Sequence, residues 1–121
     1  MSIRYYDRQG RPMDRYPTED DERYKRVNET TLPNGLWVST VWLGLDHRCG
    51  DEGPPIVFES MVFPSRDNLS ELAVRRYATE LEAAVGHEVL CEQWTKVSQE
   101  DLAAGRTPER EADEAAPGAQ G

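Results

Sequence analysis

The sequence predicts an α+β domain, a three- to four-stranded antiparallel sheet arranged as a meander with one C-terminal helix packed on a face. Three observations predict it. Residues 37–63 hold almost every large β-forming residue of the chain, with turn chemistry on both sides. Asn34-Gly35 stands directly before that stretch, a strong short-range hairpin signal. Residues 80–97 then switch to helical spacing, opened by Thr79 with Glu82 three residues on, the pattern of a capping box.

The elements follow in order. Around Gln9-Gly10, Tyr5, Tyr6 and Met13 suggest a short hairpin. Thr18 followed by acids suggests a helix of one or two turns over 19–24, because hydroxyl and carboxylate oxygens satisfy free amide donors at a helix start. Residues 26–32 lead into Pro33-Asn34-Gly35, where both Asn and Gly tolerate the positive φ of a two-residue hairpin turn. Strands are expected over 36–45 and 56–63, joined by a Gly- and Pro-rich loop over 46–55. That loop is longer than a hairpin needs and is therefore a candidate functional loop. Residues 71–77 suit a fourth strand or the start of a helix, and the strand is favoured because the capping box starts a fresh helix after them.

The helix places Ala83, Gly86, His87, Leu90, Cys91, Trp94 and Val97 on one face and Glu82, Glu88, Glu92 and Lys96 opposite. Val85 and Val89 fall on the polar side, against the pattern. Gly86 costs helix stability, about 1 kcal/mol against alanine, but allows close approach to the sheet. The two central strands are apolar on both faces. That implies a cover for the second face, supplied by the N-terminal segment or by another copy of the chain.

The organisation expected is an N-terminal hairpin and short helix over 1–25, a compact α+β body over 26–97 and an acidic tail over 98–121. The tail is Ala-, Glu-, Gly- and Pro-rich, with a short helical extension over 98–104 and disorder beyond. Net charge is -9, and the net acidity belongs to the body and tail: residues 1–26 carry six acids against seven bases, whereas residues 27–97 carry eleven acids against five bases. An acidic body disfavours nucleic-acid binding, which needs a basic surface, and suits a basic protein partner. Two cysteines make no disulfide framework, and no run is apolar enough for a signal peptide or membrane span. A soluble protein of a reducing cytoplasm is expected, with no cofactor.

Two candidate sites emerge. His47, Cys49, His87 and Cys91 are residue types that bind tetrahedral zinc, and the second pair lies one helical turn apart. Their spacing is not that of a zinc module, and His87 and Cys91 fall on the core face. Alternatively, Asp46, His47 and His87 form a metal-free group in which Asp46 orients an imidazole, either as a polar clasp or for acid–base catalysis with Glu59 nearby. No Gly-rich phosphate loop, nucleophile elbow or clear triad accompanies them, and Ser39 and Ser60, in strands, read as surface or sheet positions.

The runs TTLPNGLWVSTVWLGLDH, GPPIVFESMVFPS and RRYATELEAAVGHE, with the opening RYYDRQGRPM, resemble a family of small uncharacterised proteins of tailed phages and prophages, especially those of actinobacteria. The resemblance covers most of residues 3–95. Asp46, His47, Gly86 and His87 match its pattern, while Cys49 stands where the family carries Phe, which weakens the zinc set. The resemblance implies an accessory protein of the bacterial host cytoplasm and no particular chemistry. The expected function is a non-enzymatic protein-interaction module. The alternatives are a small hydrolase or metal-dependent enzyme centred on Asp46, His47 and His87, and a minor virion component.

Overall fold

The computed structural model describes residues 5–13, 22–46 and 53–108. It shows an α+β fold whose main sheet has the strand order β3-β4-β5-β6, all antiparallel neighbours. The strands are β3 (Arg26–Thr31), β4 (Trp37–Trp42), β5 (Phe58–Phe63) and β6 (Ala73–Tyr77). A separate hairpin of β1 (Tyr5–Tyr6) and β2 (Pro12–Met13) precedes them, followed by the short helix α1 (Glu22–Lys25). Helix α2 (Glu80–Trp94) lies across the sheet, and α3 (Gln99–Ala104) follows it.

The period-2 pattern decides which sheet face meets the helix. The strand register places Thr30, Val38, Thr40, Trp42, Phe58, Ser60, Val62, Ala73 and Tyr77 on one face. Against it α2 buries Ala83, His87, Leu90 and Trp94. The interface has two apolar halves. One joins Leu32, Leu36, Val38, Val62 and Ala73 to Leu90, Trp94 and Val97. The other joins Trp42, Val57 and Phe58 to Ala83 and to Tyr6 of the N-terminal hairpin.

The described part of the N-terminal segment therefore packs on the helix side, at the Trp42 end. Trp42 Nε1 donates to Tyr6 O at 2.9 Å, and the Tyr24 ring meets Trp42 edge-on at 4.9 Å. Arg8 fastens it: Nε and Nη2 donate to Glu80 Oε1 and Oε2 at 3.0 and 2.7 Å, and Nη1 donates to Tyr24 O at 2.9 Å. The second face is half-buried under its own side chains. Trp37 stacks on Phe63 with Arg66 above it, and Arg76 pairs with Glu59.

The hairpin at Asn34-Gly35 forms, but not with the turn expected. Gly35 has φ +93, and no residue other than glycine has positive φ among the described residues. Gly35 N donates to Leu32 O at 2.8 Å, and Leu32 N donates to Leu36 O at 2.7 Å. This is a three-residue loop, a turn with Pro33 in the position that favours proline, closed by a left-handed glycine. Asn34 stays at negative φ because its side chain has other work. Its Nδ2 donates to Trp94 O at 2.9 Å and Val97 O at 2.7 Å, while Oδ1 accepts from Leu36 N at 3.1 Å. The hairpin tip thus caps carbonyls at the end of α2, which lack intrahelical donors. Asn34→Ala should cost about 2 kcal/mol in urea unfolding. Asn34→Gly should cost as much, although glycine suits the turn; a neutral Asn34→Gly would refute the capping role.

Helix α2 opens as its sequence predicts: Glu82 N donates to Thr79 Oγ1 and Thr79 N donates to Glu82 Oε1, both at 3.1 Å. It ends at Trp94, not at residue 97, because Ser98 caps a new helix with Asp101 as the reciprocal partner. Leu102 of α3 packs against the Trp94 cluster and Gln99 Nε2 donates to Asn34 O at 3.3 Å, so the ordered body extends past residue 97.

Candidate functional site

The polar centre of the molecule lies between the two apolar halves of the sheet–helix interface. His87 comes from the third turn of α2, on the face that its spacing assigns to the core, and is 0% exposed. Its Nδ1 lies 2.7 Å from Thr40 Oγ1 and its Nε2 lies 2.9 Å from Thr30 Oγ1. Thr40 Oγ1 is in turn hydrogen-bonded to Ser60 Oγ, directly across the β4–β5 ladder. Thr40 and Ser60 are also 0% exposed. A line of polar groups therefore crosses three strands and rises into the helix.

Hydroxyls can donate or accept, so either tautomer of a neutral imidazole satisfies the line. If Nδ1 carries the proton, Thr40 accepts it and donates to Ser60, and Thr30 donates to Nε2. If Nε2 carries it, each role reverses. A charged imidazolium would sit with only neutral oxygens on its ring nitrogens, which is costly in a buried site. Burial accordingly lowers the His87 pKa below its ordinary value, and Glu88 only partly opposes this.

Neighbouring groups extend the line. Cys91 is a half-buried free thiol, raised chiefly by burial, with a hydrogen bond from the Thr30 side lowering it and Glu88 raising it. Thr30 thus stands between His87 and Cys91. At the other end, the Tyr77 hydroxyl is buried without a well-formed hydrogen bond. Burial raises its pKa, and Ser60 and Arg75 lie close enough to oppose that rise.

The remaining predicted residues lie elsewhere. Asp46 Oδ1 accepts from Ile56 N at 2.9 Å, which ties together the ends of the loop after β4. Both His87 ring nitrogens are engaged by threonines, so Asp46 is not the group that orients this imidazole. Glu59 is buried on the second face of the sheet and pairs with Arg76 at 3.0 Å, on the opposite side from His87. His47 and Cys49 lie outside the described residues. Among the described residues no group of three or more His, Cys, Asp or Glu is placed to hold a metal ion, and no helix is long and apolar enough to cross a membrane.

The partners Thr30, Thr40 and Ser60 went unrecognised in the sequence. The signal for two of them was the alternation itself. Thr40 falls between Val38 and Trp42, and Ser60 between Phe58 and Val62, so both had to point inward with the core. A buried hydroxyl in an apolar row requires a polar partner, and His87 is the polar residue that the helix presents. With His87, Thr40 and Ser60 at 0% exposure and Thr30 half-buried, the arrangement holds a proton in place and keeps the imidazole out of a substrate's reach.

The chain matches no known family model, no curated protein and no solved structure.

Proposed function

We propose that this chain is a non-enzymatic protein-interaction module, an accessory protein of phage type working in a bacterial cytoplasm. One contrast carries the reading. Among the described residues, the polar side chain best suited to chemistry is committed to the interior: His87 has both ring nitrogens on threonines. Large apolar residues instead face outward: Leu69, Leu81, Val85 and Val89. An enzyme of this size concentrates its polar groups where solvent and substrate reach them. A binding module leaves apolar side chains for a partner to cover. The phage assignment rests on the sequence resemblance over residues 3–95, and the acidic charge favours a basic protein over nucleic acid.

The test is capture of the tagged full chain from an actinobacterial host under crosslinking, followed by size-exclusion chromatography of the chain with whatever is recovered. A single protein that co-elutes in a defined ratio is the expected result. Repeated recovery of the chain alone would overturn the reading.

A further inference from the structure

We infer that the outer face of α2 is a docking surface for an amphipathic helix of a partner protein, one whose apolar ridge is flanked by lysine and arginine. The inference rests on the interaction reading above and supplies its surface and the chemistry of its partner.

Leu81, Val85 and Val89 recur every four residues and form one straight ridge along the solvent side of the helix. They are 74%, 55% and 48% exposed, in a helix whose opposite face buries Ala83, His87, Leu90 and Trp94. Folding does not account for them. An exposed valine gains nothing from burial and has lower helix propensity than alanine, glutamate or lysine.

Charge decides what covers the ridge. Glu88 and Glu92 lie one turn apart beside Val85 and Val89, and Glu82 lies on the other flank. Glu82 accepts hydrogen bonds within the capping box, whereas Glu88 and Glu92 form no ion pair among the described residues. Like charges at this spacing repel and weaken an isolated helix. A second copy of α2 would bring these carboxylates against their own kind with Lys96 alone to offset them, so the occupant is a different protein. A ridge of residues four apart packs into the grooves of another helix, and basic side chains on that helix's flanks would reach Glu88 and Glu92.

The test uses the full chain labelled with ¹⁵N and a synthetic peptide of about 18 residues, roughly five helical turns. The peptide has leucines at helical spacing and lysine elsewhere, and its control carries glutamate in place of lysine. At physiological salt the lysine peptide should shift amides of α2 around residues 81–92. The glutamate peptide should shift none. The double variant Val85→Ser with Val89→Ser changes exposed positions only and should fold as the parent does, checked by its melting curve. Its affinity for the lysine peptide should fall about tenfold or more. The variant pair Glu88→Gln with Glu92→Gln should weaken binding and its salt dependence together.

Unchanged affinity in the valine variant would mean bare charge attraction and would overturn the docking face. Shifts centred on Trp37, Val41 and Met61 would overturn it as well, as would a self-associated chain that the valine variant makes monomeric. If a partner is captured from the host but binds the valine variant equally, the docking face fails while the interaction reading stands. Failure to capture any partner removes that reading itself.

Discussion

Replacing His87 with alanine is expected to destabilise the domain by about 3 kcal/mol and to lower Tm by roughly 12 °C. Two costs add. The substitution empties volume in the middle of the sheet–helix interface, between the Trp94 and Trp42 clusters. It also strips Thr30 Oγ1 of its His87 partner and leaves Thr40 with Ser60 alone. A buried hydroxyl that loses its partner pays its full desolvation cost, which exceeds the net gain from making the bond. The measurement is urea unfolding of wild type and variant. A loss below about 1 kcal/mol would show that the imidazole is not a structural tie.

The same residue sets a pH dependence. Burial holds the folded-state pKa of His87 below its ordinary 6.5. Above about pH 6.5 the imidazole is neutral in both states and its contribution is complete. As the pH falls from there towards the folded-state value, the unfolded chain takes up a proton that the folded protein refuses. Stability then declines by at most about 1.4 kcal/mol per pH unit. The gap between wild type and His87→Ala should therefore narrow between pH 6.5 and 5. His87→Gln, which keeps a hydrogen-bonding side chain but does not titrate, gives the same comparison if the alanine protein is too unstable. His47 is present in every variant and cancels. The depressed carboxyls of Asp7, Glu29 and Asp101 act only below their ordinary values of 3.8, 4.5 and 3.8. A gap that stays constant across the window would contradict a buried neutral imidazole.

Local chemistry made much of this fold legible. The large β-forming residues over 37–63, turn residues on both sides and the Thr79–Glu82 box all concern neighbours in the chain, and each appears where the pattern places it. What stayed hidden depended on distant residues. Asn34 carries the strongest hairpin signal in the chain, yet its conformation follows from carbonyls sixty residues away at the end of α2. The place of His87 in the core was readable from helical spacing, but its partners were not. Carboxylates are the usual orienting groups for histidine, and the threonines that serve here are brought beside it only by strand register. The cover of the sheet's second face was readable only in part: Arg66 lies over Trp37 and Arg76 reaches Glu59, long side chains whose stems shield part of that face.

Gly86→Ala is expected to reverse the sign that helix propensity assigns to it. In an unpacked helix, alanine at this position would stabilise by about 1 kcal/mol. Here a Cβ on Gly86 would fall within the ring of Tyr77, overlapping its hydroxyl and two of its ring carbons. Tyr77 ends β6 beneath the helix and packs against the Trp42 cluster, so its ring cannot withdraw without opening that contact. The net result should be a loss of about 2 kcal/mol in urea unfolding, since overpacking a well-filled interface costs that order of energy. Tyr77→Ala removes the obstacle at a cost of its own, about 2–3 kcal/mol for truncating a half-buried aromatic. In that background Gly86→Ala should be neutral or stabilising, which gives a coupling of about 2–3 kcal/mol between the two sites. Tyr77→Phe keeps the ring and should not rescue, although it removes a buried hydroxyl that has no well-formed hydrogen bond. If Gly86→Ala alone raises stability, the helix does not lie this close to β6. The seat of His87 one residue further along α2 would then need revision too, because the same approach that excludes a side chain at 86 brings the imidazole within reach of Thr30 and Thr40.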